Sequence, residues 1–371
     1  MRLVFLFLIC LFSVPGDHFL RSEDPPSRRV LFIITKLSMG GAEQAFVSMI
    51  NGWSMPNTTV EMLIRGRGGA LEGNLRKDFL IISTKAALER SYDVAVCYGE
   101  WMNPKRVLCK VNAQRKVQWI HTDLAMISYA SPFKKAESYS GIDALVCVSE
   151  KVAESVRKIQ PLVADKVFAI RNTLDADLIR RKARQEGPYL PQDGICNVVS
   201  VARLCHEKAF DRAIRVHERL EKEGIHFRWY IVGEGLCRRK LEQQIKACGL
   251  EGKFVLLGQK MNPYPYILQA DVFAMPSLVE GWCLAVTEAK VLARPILFTD
   301  VAGAREQIES EFNGLIVENS EEGIYTGLKR LLLDKSLRNK FSDALKGFEY
   351  DNASIYRDIE HLFFPDEIVE K

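Results

Sequence analysis

The run Asp271-Val272-Phe273-Ala274-Met275-Pro276, followed after three residues by Glu280-Gly281-Trp282-Cys283-Leu284-Ala285-Val286-Thr287-Glu288, decides the fold. A short apolar run, a glycine-bearing loop and a helix-like run through Val291 make one strand–loop–helix unit of a parallel α/β sheet. Glu280 and Glu288 lie about two helical turns apart, so a helix covering both would present them on one side. Glu280 sits at the loop-to-helix junction, where free backbone N–H groups and the helix dipole favour an anion. Carboxylates beside an anion site fit a ligand that offers hydroxyl groups to the carboxylates and phosphate to the amides.

The same alternation repeats on both sides of this unit. Upstream, strand patterns at 196–201, 226–232 and 254–257 alternate with helix patterns at 211–223 and 238–248. Downstream come strands at 295–298 and 315–317, then helices around 322–333 and 335–346. In the N-terminal half, an apolar run at 30–34 leads into Ser38-Met39-Gly40-Gly41-Ala42-Glu43, and six further apolar runs follow up to residue 170. The expected fold is α/β, with two tandem Rossmann-like doubly wound domains and a cleft between them. The expected boundaries are a first domain at 29–173, a linker at 174–194 marked by Gly187, Pro188, Pro191 and Gly194, and a second domain at 195–351. A final helix within 352–371 is expected to reach back to the first domain. Ligands in such sheets bind outside the C-terminal ends of the strands.

Composition agrees with this size. The chain has 371 residues, 47% hydrophobic and 26% charged, with a formal net charge of +4. The positive surplus falls within residues 28–172 and the remainder is mildly acidic, which suits an anionic membrane surface or a polyanionic acceptor near the first domain. Nucleic acid is not an expected partner. Nine cysteines are scattered without a C-x-x-C pair, which argues for a reducing compartment, and no His/Cys cluster has metal-ligand spacing. Residues 1–28 form an apolar run after Arg2 and a polar spacer. Signal peptide, N-terminal anchor and a start assigned too far upstream compete for it. The free thiols favour a cytoplasmic protein, and the basic first domain a peripheral contact with the inner face of the membrane.

Four loops of the second domain follow strands and carry chemistry. Arg203 and Lys208 bracket the first and suit a diphosphate. Gly233 and Gly235 in the second permit close approach of backbone to a ligand. Gly258 opens the third, and Glu280 with Glu288 the fourth.

This ordered set resembles the retaining glycosyltransferases of family 4, which have the GT-B fold. The resemblance covers essentially residues 29–364. It is carried by Gly40-Gly41-Ala42-Glu43, Trp119-Ile120-His121-Thr122-Asp123, Ser200-Val201-Ala202-Arg203-Leu204 with Lys208, Val232-Gly233-Glu234-Gly235, Asn262-Pro263-Tyr264-Pro265-Tyr266-Ile267 and the nine-residue glutamate motif. The Asn-Pro-Tyr-Pro-Tyr stretch is similar to bacterial enzymes of capsular and exopolysaccharide synthesis.

The resemblance implies roles. Glu280 and His121 would meet the donor sugar as catalytic residues, and Glu288 would bind the ribose hydroxyls. Arg203 and Lys208 would neutralise the leaving diphosphate. Gly281 and the backbone amides of Trp282, Cys283 and Leu284 would hold phosphate and sugar, and Gly40 and Gly41 would let the first domain close over the diphosphate. The substrates implied are a nucleotide sugar, UDP-linked rather than GDP-linked, and a lipid-linked or glycan acceptor, with neither cofactor nor metal required. Two departures stand out: Ala209 replaces a usual glycine after Lys208, and Cys283 replaces a flexible glycine, tolerable if its φ is negative. Trp101, Trp119, Tyr264 and Tyr266 read as packing residues. Two alternatives remain open, a GT-B sugar-nucleotide epimerase and a non-catalytic nucleotide-sugar-binding subunit.

Overall fold

The computed structural model describes residues 28–66, 68–125, 136–186 and 190–365. Residues 1–27, residues 126–135 and Gly187 and Pro188 of the linker lie outside the described residues. Two parallel sheets are present. The first joins β1 (Arg28–Ile34), β2 (Thr58–Ile64), β3 (Leu80–Ile81), β4 (Ser91–Tyr98), β5 (Asn112–Ile120), β6 (Ala144–Cys147) and β7 (Val167–Ala169) in the order β3-β2-β1-β4-β5-β6-β7. The second joins β8 (Cys196–Val201), β9 (Phe227–Val232), β10 (Phe254–Gly258), β11 (Val272–Met275), β12 (Ile296–Thr299) and β13 (Leu315–Val317) in the order β10-β9-β8-β11-β12-β13.

The central strands are apolar on both faces because helices cover both. Val30, Leu31, Phe32, Ile33 and Ile34 of β1 are all buried, as are Val198 and Val199 of β8. In each sheet the strand order reverses once, between β1 and β4 and between β8 and β11. At such a switch point the loops diverge and leave a crevice. The loops at the two crevices carry Gly40, Gly41 and Glu100 in the first domain and Arg203, Lys208 and Glu280 in the second.

The segment expected as a plain linker contains the helix Ala176–Ala183, whose Asp175 carboxylate accepts from the Leu178 N–H. Ile179 and Ala183 are buried on one face. The charge and the Gly/Pro residues masked a capped amphipathic helix. The last helix, Asn352–Phe363, packs on the first domain. Arg28 pairs with Glu360 at 3.0 Å, the Tyr356 hydroxyl donates to the Met49 carbonyl at 2.8 Å, and the Phe363 ring lies 6.2 Å from those of Phe32 and Trp53. At the crossover, the Asn352 amide accepts from Leu174 N–H and donates to Leu174 C=O. Among the described residues no helix is long and apolar enough to cross a membrane.

Candidate functional site

The glutamate motif is built differently from the two-turn expectation. The helix is Leu284–Val291 with Cys283 as its N-cap, so Glu280 stands in the preceding loop and Glu288 in the helix. Gly281 and Trp282 interrupt the helical path between them. The two carboxylates are thus held by separate elements. Cys283 has φ −84°, an ordinary value for a side-chain-bearing residue, and its buried thiol is pushed up in pKa by burial. The charges of Glu280 and Glu288 add to that rise and the charge of Lys208 opposes it.

Glu280 is buried and its Oε1 accepts from Lys208 Nζ at 2.5 Å and from the Ser277 hydroxyl at 2.6 Å. Burial works to lower the Lys208 pKa, but the adjacent Glu280 carboxylate outweighs it and the net direction is upward. Lys208 is therefore a fixed cation. Ala209 follows it at φ 51°, ψ 39°, the left-handed conformation that glycine occupies without strain. Arg203 is exposed, and its side chain makes no hydrogen bond or ion pair among the described residues. Burial raises the Glu43 carboxyl of the first domain, and the Arg203 charge works against that rise.

Glu288 is buried and its Oε1 accepts from the Tyr264 hydroxyl at 3.3 Å. Burial raises its pKa to about 7, against a smaller lowering by that hydrogen bond. Tyr264 is thus more than a packing residue, whereas Tyr266 is buried in a cluster with Leu190, Val199 and Tyr230.

From the first domain, His121 follows β5. Its backbone N–H donates to the buried Glu100 carboxylate at 2.9 Å. The ring lies 4.6 Å from that of Tyr98 and stacks on Trp101 at 6.2 Å. Both ring nitrogens are buried without a hydrogen-bond partner, as is the Trp282 indole N–H. Burial lowers the His121 pKa to about 3, so the imidazole is neutral near pH 7. Buried polar atoms without partners are costly in a folded protein, and these lie on His121 and on the residue after Gly281, whose backbone meets the His121 carbonyl.

The two domains touch here. A Cβ on Gly281 would lie 2.1 Å from the His121 carbonyl oxygen, so that position has no room for a side chain. Farther along the cleft, Glu306 accepts from the N–H groups of Glu150 and Lys151 at 3.0 and 3.2 Å, a second-domain carboxylate on the N-terminus of a first-domain helix. Between these contacts lies a cavity of about 590 Å³ whose lining includes Asp123, Glu150, Glu280, Asp300 and Glu306. Arg203, Lys208 and Glu288 do not line it.

The glycines of the second and third loops also meet a packing demand of the chain itself. A Cβ on Gly233 would sit 1.8 Å from the Ala202 carbonyl oxygen, and one on Gly235 2.4 Å from that of Leu204. Gly233 N–H donates to Gly258 C=O at 3.0 Å, and Leu204 N–H to Glu234 C=O at 2.9 Å. These glycines let the two loops approach closely next to Arg203. Gly40 is the N-cap of the helix Gly41–Asn51, and the Glu43 carboxylate folds against it. Glu43, Glu100, Ser277 and Tyr264 all belong to the site region; the sequence assigns the first three no role and reads Tyr264 as packing. Only Glu43 and Tyr264 fell within motifs already noticed.

Comparisons with known proteins bear on this geometry. Residues 190–347, the second domain, match the family model described as Glycosyl transferases group 1. The N-acetylgalactosamine-N,N'-diacetylbacillosaminyl-diphospho-undecaprenol 4-alpha-N-acetylgalactosaminyltransferase of Campylobacter jejuni is 33% identical over 197 residues, 52% of each chain. The O-antigen biosynthesis glycosyltransferase WbnH of Escherichia coli is 29% identical over 219 residues, 55% of this chain and 62% of its own. The chain thus spans about half to three-fifths of the length of these curated relatives. Among solved structures, TarM of S. aureus with Fondaparinux, alpha-GlcNAc-glycerol and UDP has a TM-score of 0.74 at 14% identity, covering 91% of this chain and 100% of TarM. Anabaena HepE with UDP and glucose also scores 0.74, at 16% identity, covering 90% and 98%. The chain has the GT-B fold. Both GT-B domains are present, and the group 1 match falls on the half that carries Arg203, Lys208, Glu280 and Glu288.

Proposed function

We propose that this GT-B protein is a retaining glycosyltransferase of family 4. It moves a hexose or N-acetylhexosamine from a UDP-sugar to a hydroxyl of a lipid-linked or glycan acceptor in cell-surface polysaccharide synthesis. The observation that carries the reading is the Lys208–Glu280 pair just before the helix Leu284–Val291, on the loop whose Gly281 backbone meets His121 of the first domain. The relatives' names support the substrate class: one names a diphospho-undecaprenol acceptor, and UDP stands with two of the matching folds.

The chemistry follows from charge. Breaking the bond between sugar C1 and the diphosphate oxygen leaves an oxocarbenium-like sugar and a growing negative charge on the leaving group. Lys208, Arg203 and the amides of Trp282, Cys283 and Leu284 receive that charge as it develops. Glu280 grips sugar hydroxyls, Glu288 the ribose, and neutral His121 accepts or donates a hydrogen bond at the sugar. The acceptor oxygen attacks from the face the diphosphate leaves, and its proton passes to the leaving phosphate. Lys208 and Arg203 supply the positive charge, so turnover is expected to persist in EDTA.

The test is release of nucleoside diphosphate by the full chain from a panel of nucleotide sugars, with and without undecaprenyl-diphosphate-linked acetamido-sugar acceptors. Transfer or slow hydrolysis from one UDP-sugar supports the reading. Epimerised donor without release points to the epimerase alternative, and binding without turnover to a non-catalytic subunit.

A further inference from the structure

The Asn262-Pro263-Tyr264-Pro265-Tyr266 stretch has a job that its motif alone does not reveal. Tyr264 opens the short helix Tyr264–Leu268, whose Pro263 N-cap and Pro265 fix the backbone at the turn. Asn262 anchors this turn. Its Oδ1 accepts from the Tyr264 N–H at 3.3 Å, while its Nδ2 donates to the Lys182 carbonyl at 2.9 Å and the Gln185 side chain at 3.2 Å. Tyr264 is therefore tied to the end of the helix that joins the two domains. Its hydroxyl, so placed, donates to Glu288 Oε1 at 3.3 Å. Glu288 Oε2 has no hydrogen-bond partner among the described residues.

The phenol is half-buried and next to a carboxylate, and burial first and Glu288 second push its pKa upward. It stays protonated and can only present a donor to Glu288. A buried carboxylate with one oxygen held cannot rotate freely about its last torsion. Its other oxygen then points in one direction.

We propose that Tyr264 is a positioning residue for donor recognition: by holding Oε1 of Glu288 it aims Oε2 at the ribose hydroxyls, and so sets discrimination between ribo- and deoxyribonucleotides. This rests on the nucleotide-sugar reading of the site. A tyrosine that merely satisfied a buried carboxylate would affect every nucleotide alike.

The experiment is calorimetric titration of the full chain and its Y264F variant with UDP, 2′-deoxy-UDP and 3′-deoxy-UDP. The wild-type protein should bind UDP about tenfold more tightly than at least one deoxy analogue, the size of one charge-assisted hydrogen bond. Y264F should lose most of that ratio by weakening UDP alone, with the deoxy analogue bound as before. N262A, which unties the turn without touching Glu288, should lower the same ratio in part and decides the matter if Y264F does not fold. An unchanged ratio in the variants, or equal weakening of all three nucleotides, overturns the proposal. Failure of the wild-type protein to bind UDP, GDP or ADP would instead bring down the nucleotide-sugar reading, and this inference with it.

Discussion

The backbone of Gly281 in the second domain lies against the carbonyl oxygen of His121 in the first, so close that a Cβ on Gly281 would sit 2.1 Å from it. This contact sets how far the cleft closes at the point where the Glu280 loop meets the His121 backbone. G281A should leave the fold of each domain intact, because the clash is between domains. It should hold the cleft open by about an ångström, and misplacement of that size costs roughly 10²-fold in rate. Steady-state transfer and UDP binding measured together check this: turnover falls while nucleotide binding to the second domain is kept.

Lys208 and Glu280 hold each other in a largely buried pair. E280Q leaves the Lys208 charge without its partner and should destabilise the protein by about 3 kcal/mol, the low end for breaking a buried pair. A diphosphate replaces the missing counter-charge. UDP should therefore raise the melting temperature of E280Q more than that of wild type, while transfer falls by roughly 10²- to 10³-fold.

Glu288 makes stability and binding depend on pH in opposite senses. Its folded pKa, about 7, lies above the ordinary value of 4.5 because burial disfavours the charged form. The protonated carboxyl is thus preferred in the folded state. Stability from this group is full below pH 4.5 and is lost as pH rises through about 7, with a total on the order of 3 kcal/mol. E288Q should flatten that part of the stability profile between pH 5 and 8. Ribose hydroxyls donate to the ionised form, so wild-type UDP affinity should rise over the same range, and in E288Q it should not.

His121 tests the unpartnered nitrogens. Two buried nitrogens without partners cost stability, each about 1–3 kcal/mol. H121F removes both while keeping a ring beside Tyr98 and Trp101, so its melting temperature should equal or exceed that of wild type. Transfer should fall by roughly 10²-fold, since the polar contact to the donor sugar is gone. A parallel loss of stability and activity would mark His121 as a packing residue.

The sheets were legible because buried parallel strands are continuous apolar runs, and β1, β5, β6, β8 and β11 fall where those runs are. Arg203, Lys208, Glu280 and Glu288 were legible because each follows a strand in a fixed order. What sequence hid was pairwise. The helix Ala176–Ala183 was masked by its charge, and the separation of Glu280 from the helix of Glu288 depends on where Cys283 caps it. The true neighbours of Gly233 and Gly235 are carbonyls of another loop. Tyr264 and Tyr266 look alike in the motif, yet one bonds Glu288 and the other fills a core. Such contacts join residues distant in the chain, and no local pattern reports them.

The central claim is that the second domain binds a nucleotide sugar between Arg203, Lys208, Glu280 and Glu288. A thermal-unfolding titration of the full chain with UDP, GDP, ADP, CMP and a set of UDP-sugars tests it most directly. At about 100 times its dissociation constant, a ligand adds roughly 2.7 kcal/mol of stability. The expected result is stabilisation by UDP and a larger one by a single UDP-sugar, both lost in a variant with Arg203→Ala and Lys208→Ala together. No shift with any nucleotide, in wild-type protein that unfolds cooperatively, would contradict the claim.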